Sequence, residues 1–355
     1  MRTTTDVESR CGIVGRPGDE QVASVRRCLR ERGVDPVHLD LSKFPARTAL
    51  SLRDGVPWLP KPAGFARVRT WYVRSMPLPL PFFPGGGGRG ADAGEGGPQA
   101  AVERDRELRV AYAAGRERRS FGFSFLAALE RDGARLVNSP GTFAQHFLKL
   151  EQLRALRDAG VPVPSTLASN DPDAVLEFAR ELDGPIVYKP LAGGALCRRI
   201  TAEDLRPERL RLLASAPVLF QEEIPGTDIR VYVVADEVAA SYEIVADRID
   251  YRGAETAVLP TVLTPAEHDA CRAAARACTM TFTGIDIRRR ADGGFALLEC
   301  NPSPMFAAIE RRTGADPVSR ALADLLTHRR QAGTEARGEA RCQAARPHQD
   351  PPDTA

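Results

Sequence analysis

The sequence predicts a mixed α/β (α+β) fold, on three observations. Residues 11–41 run strand, helix, strand, which is a parallel β-α-β unit. Residues 218–245 and 283–304 each read as an antiparallel hairpin. Helices with one apolar face separate these strands, so sheets and helices must cover one another.

Cys11 to Gly15 is a short apolar strand. From Asp19 to Arg32, Val22, Val25 and Leu29 recur at helical spacing, and Gly33 stands where a helix end takes glycine. Val37 to Leu41 is the second strand. No G-x-G-x-x-G accompanies this unit, which argues against a dinucleotide-binding dehydrogenase. Val68 to Arg74 interleaves aromatic residues with arginine. A half-buried edge strand is expected there, and a substrate or partner surface, made by Trp71, Tyr72 and Arg74, is the alternative. Residues 77–99 are Pro-rich and then Gly-rich, cannot bury a core, and read as a mobile insert. Ala101 to Asp132 is mostly helical, and a strand from Arg135 to Asn138 closes a first domain, 1–138.

Ser139-Pro140 opens a second unit, 139–215. Phe147 to Ala159 is a helix with Leu148, Leu153 and Leu156 inward and Lys149 near its start. Val161 to Pro164 is an extended connector. Asp171 caps a helix that runs to Leu182, with Pro172 in its first turn. Pro185 to Lys189 is a strand followed by a small-residue loop, Pro190 to Gly194. A lysine there supplies charge to a phosphate, and glycine backbone N–H groups can approach its oxygens. Many strands end in Lys-Pro without any ligand.

The third unit is 216–328. Val218 to Ile224 is a strand ending in two acids, and Asp228 to Val234 pairs with Val238 to Val245. Arg230 shares a face with Asp228, as a structural ion pair or as a group that holds a transferred phosphoryl. Pro265 to Thr279 is a helix whose apolar face includes Ala270, Ala274 and Ala277. In the hairpin Thr283 to Pro304, Asp292-Gly293-Gly294 makes the turn and Pro302 and Pro304 stop the second strand. Residues i and i+2 share a face, so Glu299 and Asn301 point one way and Cys300 the other. Pairing across the turn brings Asp286 to the same end. Two carboxylates and a carboxamide oxygen form a hard ligand set of the kind Mg²⁺ takes, with phosphates and water completing its shell. A solvated polar face is the alternative. A helix follows from about Asp316 to Leu326, and residues 329–355 read as a disordered tail.

The chain has 355 residues, enough for two or three packed units. A net charge of +2 makes no case for nucleic acid or a membrane surface, and the runs Arg116–Arg119 and Arg288–Arg290 read as solvated faces. Seven scattered cysteines without C-x-x-C fit reduced thiols in a cytoplasm. The five histidines lack zinc spacing. No N-terminal signal segment is apparent, and no apolar run approaches the roughly 20 residues that span a bilayer.

From about Val137 to Leu326 the order of these motifs resembles the ATP-grasp superfamily of carboxylate-amine ligases, nearest to its RimK-like branch. The resemblance implies a pre-ATP-grasp-like N-terminal domain and a two-lobed fold with nucleotide between antiparallel sheets. It implies phosphate contacts at Lys149 in K-L-E-Q-L and at Lys189 in P-I-V-Y-K-P. It places the adenine beside Gln221, Glu222 and Glu223, the ribose near Asp228, and phosphate or acyl phosphate near Arg230 and Arg252. It makes Asp286, Glu299 and Asn301 ligands of Mg²⁺, with Mn²⁺ as a substitute. The implied chemistry is ATP-dependent amide formation through an acyl phosphate, on a peptide or amino-acid substrate, with a precursor or leader peptide as a partner. A small-molecule amide ligase and a nucleotide-binding module without ligase chemistry are the alternatives. Oligomeric state is not readable, and a homo-oligomer is left open.

Overall fold

The computed structural model describes residues 10–58, 68–75, 98–182, 184–191, 196–246 and 255–327. Residues 77–97 of the insert expected at 77–99, the expected tail, the loop glycines Gly193 and Gly194, and Arg252 lie outside the described residues, and the insert's last two residues, Pro98 and Gln99, belong to a helix.

Strand β1 (Arg10–Val14), helix α1 (Glu20–Glu31) and strand β2 (Val37–Leu39) form the expected parallel unit. Asp19 caps α1 by accepting from the backbone N–H of Gln21 and Val22, and Gly33 follows it at a φ of 76°. Strand β2 stops at Leu39, earlier than expected, because Asp40 caps a short 3₁₀ turn at Leu41–Lys43. A two-stranded ribbon, β3 (Leu52–Arg53) and β4 (Val56–Pro57), comes next. Strand β5 (Val68–Val73) lies between β1 and β6 (Arg135–Val137), in a parallel sheet ordered β2-β1-β5-β6. The edge-strand expectation is therefore corrected. Trp71 and Tyr72 are buried on the two faces of a central strand, so neither can offer a peptide-binding surface. Trp71 lies opposite Gly12, and a Cβ on Gly12 would come within 2.2 Å of the Trp71 ring.

Helix α2 (Pro98–Arg131) leads into β6, and a 3₁₀ stretch at Pro140–His146 leads into α3 (Lys149–Asp158). Leu153 and Leu156 are buried as expected, but Leu148 stands at the helix N-cap and is exposed. The second antiparallel unit is built from β7 (Thr166–Ser169), α4 (Pro172–Glu181), β8 (Ile186–Lys189), β9 (Arg198–Arg199), α5 (Pro207–Leu210) and β10 (Val218–Glu222). Its strand order is β7-β10-β8-β9.

The third unit holds β11 (Thr227–Val234), β12 (Glu237–Ala246), β13 (Glu255–Pro260), α6 (Pro265–Ala277), β14 (Phe282–Arg289) and β15 (Phe295–Asn301). They make an antiparallel sheet ordered β13-β12-β11-β14-β15. Helix α7 (Ala307–Thr313), which the sequence did not suggest, and α8 (Pro317–Leu326) follow. One face of this sheet buries Ile229, Val231, Ile285, Leu297 and Cys300 against α3 and α6. On α6 the inward residues are Cys271, Ala274 and Ala275, with Ala270 and Ala277 only partly covered. The opposite face buries Tyr232, Val234, Phe282 and Tyr242 in one cluster with α1, α8 and Tyr72 of the N-terminal sheet.

The arginine run at 288–290 is a second correction. Arg288 pairs with Asp228 at 2.6 Å, Arg289 grips Glu267 at 2.7 Å, and Arg290 pairs with Glu222 at 3.0 Å. Glu267 is buried and also completes the capping box of α6, so the run staples the hairpin to its surroundings.

Gly12→Ala should destabilise the protein by roughly 1–3 kcal/mol, because the buried Trp71 has no room to withdraw. Denaturant unfolding of the two proteins measures it.

Candidate active site

The third sheet is divided along its strands. Toward Val234 and Phe282 its outer face is core, and toward Asp228 and Arg288 the same face carries charge. The register sets the charged groups in rungs. Arg230, Asp286 and Glu299 are direct partners across β11, β14 and β15, and Tyr232, Gly284 and Asn301 form the next rung. An irregularity between Asp286 and Ile287 lets Leu297 and Cys300 both face the core while Glu299 stays opposite Asp286.

Two carboxylates directly opposite one another repel. Cations flank both: Arg230 Nε lies 2.9 Å from Asp286 Oδ1, and Lys149 Nζ donates to Glu299 Oε2 at 3.2 Å. Asn301 Oδ1 accepts from the Ser303 backbone N–H at 2.9 Å. Lys189, at the end of β8, donates to the buried Gln221 at 3.1 Å, and Gln221 donates on to Thr166 at 2.9 Å. Burial pushes the Lys189 ammonium below the ordinary lysine value; the Lys149 charge adds to this, and Glu299 and Asp286 oppose it. Lys189 thus shares an electrostatic environment with the rung although it belongs to another sheet.

The remaining site residues form the join between these units. Glu222 accepts from the Ser165 backbone N–H and from Arg290, while Glu223 is paired with Arg199. The backbone N–H groups of Glu222 and Glu223 donate to Ser165 and Pro185. Asp228 lies opposite Arg288, which also donates to the carbonyl of Ile224. The geometry therefore brings Lys149, Arg230, Asp286, Glu299 and Asn301 together, ties Lys189 to Gln221, and joins Glu222 and Asp228 to Arg290 and Arg288 of the same hairpin, while Glu223 pairs with Arg199. Arg252 lies outside the described residues. Cys300 is no nucleophile: it is buried, and the hydrogen-bonded Cys278 thiol together with burial holds its pKa well above the ordinary value.

Several supporting residues were not singled out from sequence. Gln152 holds the edge of β15 by bonding both the N–H and the C=O of Cys300 at 2.8 Å. Its position beside Leu153 and Leu156 on the buried face of α3 was the available signal, since a buried amide needs partners. Asn138 donates to the carbonyls of Phe282 and Pro302 and accepts from the Phe282 N–H. Gly284 matters for what it lacks. A Cβ there would lie 2.5 Å from Pro304 Cβ and 3.0 Å from Arg230 Nη1.

The donor set fits a hard divalent cation: two adjacent carboxylates and one carboxamide oxygen, with ammonium and guanidinium groups around them where anionic oxygens would sit. A rung of this kind, with one lysine from the start of a helix beside it and a second lysine on a neighbouring antiparallel sheet, defines a ligase of the ATP-grasp type. Residues 148–325 match the model of the RimK-like ATP-grasp domain. The ribosomal protein bS6–L-glutamate ligase of Escherichia coli O81 (strain ED1a) is 30% identical over 221 residues, covering 59% of this chain and 73% of the relative. A structure of the ATP-grasp ligase PsnB, complexed with a phosphomimetic variant of its minimal precursor, Mg and ADP, superposes with a TM-score of 0.74. PsnB is 35% identical there, with 90% of this chain and 98% of PsnB covered. The macrocyclase MdnC of Microcystis aeruginosa MRC, bound with its precursor peptide MdnA, shares the fold at a TM-score of 0.69 and 22% identity, over 89% of this chain and 99% of MdnC. This chain belongs to the RimK-like ATP-grasp family, and it is a ligase.

Gly284→Ala should keep the sheets intact by circular dichroism while lowering ADP release on the order of a hundredfold, because Pro304 and Arg230 must both move. Steady-state ADP formation with the wild type alongside measures it.

Proposed function

We propose that this chain is an ATP- and Mg²⁺-dependent ligase that activates a carboxylate as an acyl phosphate and joins it to an amine of a peptide or protein. The observation that carries the reading is the Arg230–Asp286–Glu299 rung, flanked by Lys149 and sharing its electrostatic environment with Lys189. The precursor-bound PsnB complex and the protein-modifying bS6 ligase support a peptide or protein substrate over a free small molecule. Free thiols on all six described cysteines support a reducing, cytoplasmic setting.

In the first step a substrate carboxylate oxygen bonds to the γ-phosphorus of ATP and the bond to ADP breaks. In the second the amine nitrogen bonds to the acyl carbon, phosphate leaves, and the amine loses a proton. The first step brings two anions together, so it depends on cations placed beforehand rather than on a protein nucleophile. Lys149 and Lys189 hold phosphate oxygens, and Arg230 neutralises the transferred group. Arg252 is assigned to the same task from the family motif. Asp286, Glu299 and Asn301 would hold Mg²⁺, or Mn²⁺ in its place, and the ion would supply positive charge that offsets the charge of the phosphates. Gln221, Glu222 and Glu223 border the base, and Asp228 the ribose. Gln221 has a second task, because its carboxamide aims Lys189.

Incubation with ATP, Mg²⁺ and a peptide encoded beside this gene should release ADP and give a product lighter by one water per bond, read by mass spectrometry. Glu299→Ala should lower that turnover about a hundredfold or more. Wild-type-like turnover in this variant would remove the cation assignment. Condensation of free amino acids with no reaction on peptides would replace the substrate class. Lys189→Met should weaken nucleotide binding in calorimetry without unfolding the protein, since it removes a buried charge that costs desolvation.

A further inference from the structure

Arg74 follows β5 in the N-terminal sheet, yet its guanidinium reaches the Pro-rich stretch after β15. Nη1 donates to the backbone carbonyl of Ser303 at 2.8 Å and to Ser303 Oγ at 2.5 Å. Nε donates to both oxygens of Asp19, at 3.2 and 3.1 Å. The Ser303 hydroxyl in turn donates to the Arg74 carbonyl at 2.5 Å. Ser303 is therefore held by Arg74 from three sides. Its backbone N–H, so placed, donates to Asn301 Oδ1 at 2.9 Å.

That last bond settles which end of the Asn301 amide is the oxygen, and it uses one of the two oxygen lone pairs. The other lone pair remains for a cation. An Asn ligand with no such partner would be free to turn its NH₂ group toward the cation, which repels it. Asp19 anchors the far end of the chain of contacts, because it is also the N-cap of α1. The Arg74 side chain is only 12% exposed, so water screens its hydrogen bonds little.

We propose that Arg74 is a positioning residue for Asn301: acting through Ser303, it orients the carboxamide that completes the divalent-cation site, and so makes the N-terminal unit part of the reaction centre. The inference rests on the reading of Asn301 as a cation ligand. Partners that orient a metal ligand commonly change metal affinity 10–100-fold when lost.

The test is ADP binding by calorimetry across a Mg²⁺ series, beside ADP binding in EDTA and thermal melting. Arg74→Met should raise the half-saturating Mg²⁺ at least about tenfold while metal-free ADP binding stays within about twofold. Arg74→Lys, which keeps one donor, should recover part of the loss. Ser303→Ala removes the hydroxyl contacts alone and should shift Mg²⁺ in the same direction by less, and it serves if Arg74→Met does not fold. In an Asn301→Ala background Arg74→Met should add nothing to the Mg²⁺ requirement, whereas a residue that merely supports the fold would add its own cost. An unchanged Mg²⁺ requirement in Arg74→Met and Ser303→Ala, with Asn301→Ala impaired, overturns the role of Arg74 and leaves the cation site standing. An unchanged requirement in Asn301→Ala overturns both.

Discussion

Asp286 and Glu299 face each other across two strands of one sheet, and this apposition governs the third unit. Two carboxylates in that position raise the energy of the fold unless positive charge is nearby. The chain meets the constraint with groups from separate places. Arg230 comes from the neighbouring strand, Lys149 from the start of α3, and Lys189 from another sheet. The same crowding of charge is what a triphosphate and a divalent cation can exploit, because each finds complementary partners already in place. Binding there would exchange one set of ion pairs for another instead of burying new charge.

A sheet that carries this cluster needs its remaining surface covered. One face is closed along its length by α3 and α6. The other is closed at one end only, by α7, α8, α1 and the N-terminal sheet, and the uncovered end carries the candidate site. Core and site therefore share strands. Tyr232 lies two residues from Arg230 on the same face; it is buried, and its hydroxyl donates to the Met305 carbonyl at 2.5 Å. The segment after β15 is thus held from several directions, by Tyr232, by Asn138 and by Arg74. The N-terminal unit is joined to the catalytic sheet by a common apolar cluster and by these polar ties.

Placement within the chain was readable wherever it depended on local periodicity. Asp19 and Gly33 mark the ends of α1, Asp171 and Pro172 mark the start of α4, and the alternation around Cys300 put Glu299 and Asn301 on one face. Errors arose where neighbours set the outcome. The aromatic strand at 68–73 looked like an edge because aromatic and arginine residues alternate, but strands on both sides bury it. The arginine run at 288–290 looked solvated because no partner for it lies nearby in sequence. Its partners, Asp228, Glu267 and Glu222, are contributed by other elements.

The amino-acid order was enough to specify the hairpin, the lysine-bearing strand and helix, and the oxygen-rich ending that together mark an ATP-grasp ligase, because each follows from spacing over a few residues. It could not specify that Arg230, Asp286 and Glu299 share a rung, that Gln152 braces Cys300, or that Arg74 reaches Ser303. Arg230 and Asp286, Gln152 and Cys300, and Arg74 and Ser303 are each more than fifty positions apart. No local preference encodes such pairings, and they follow only when sheet register and helix packing are satisfied at the same time.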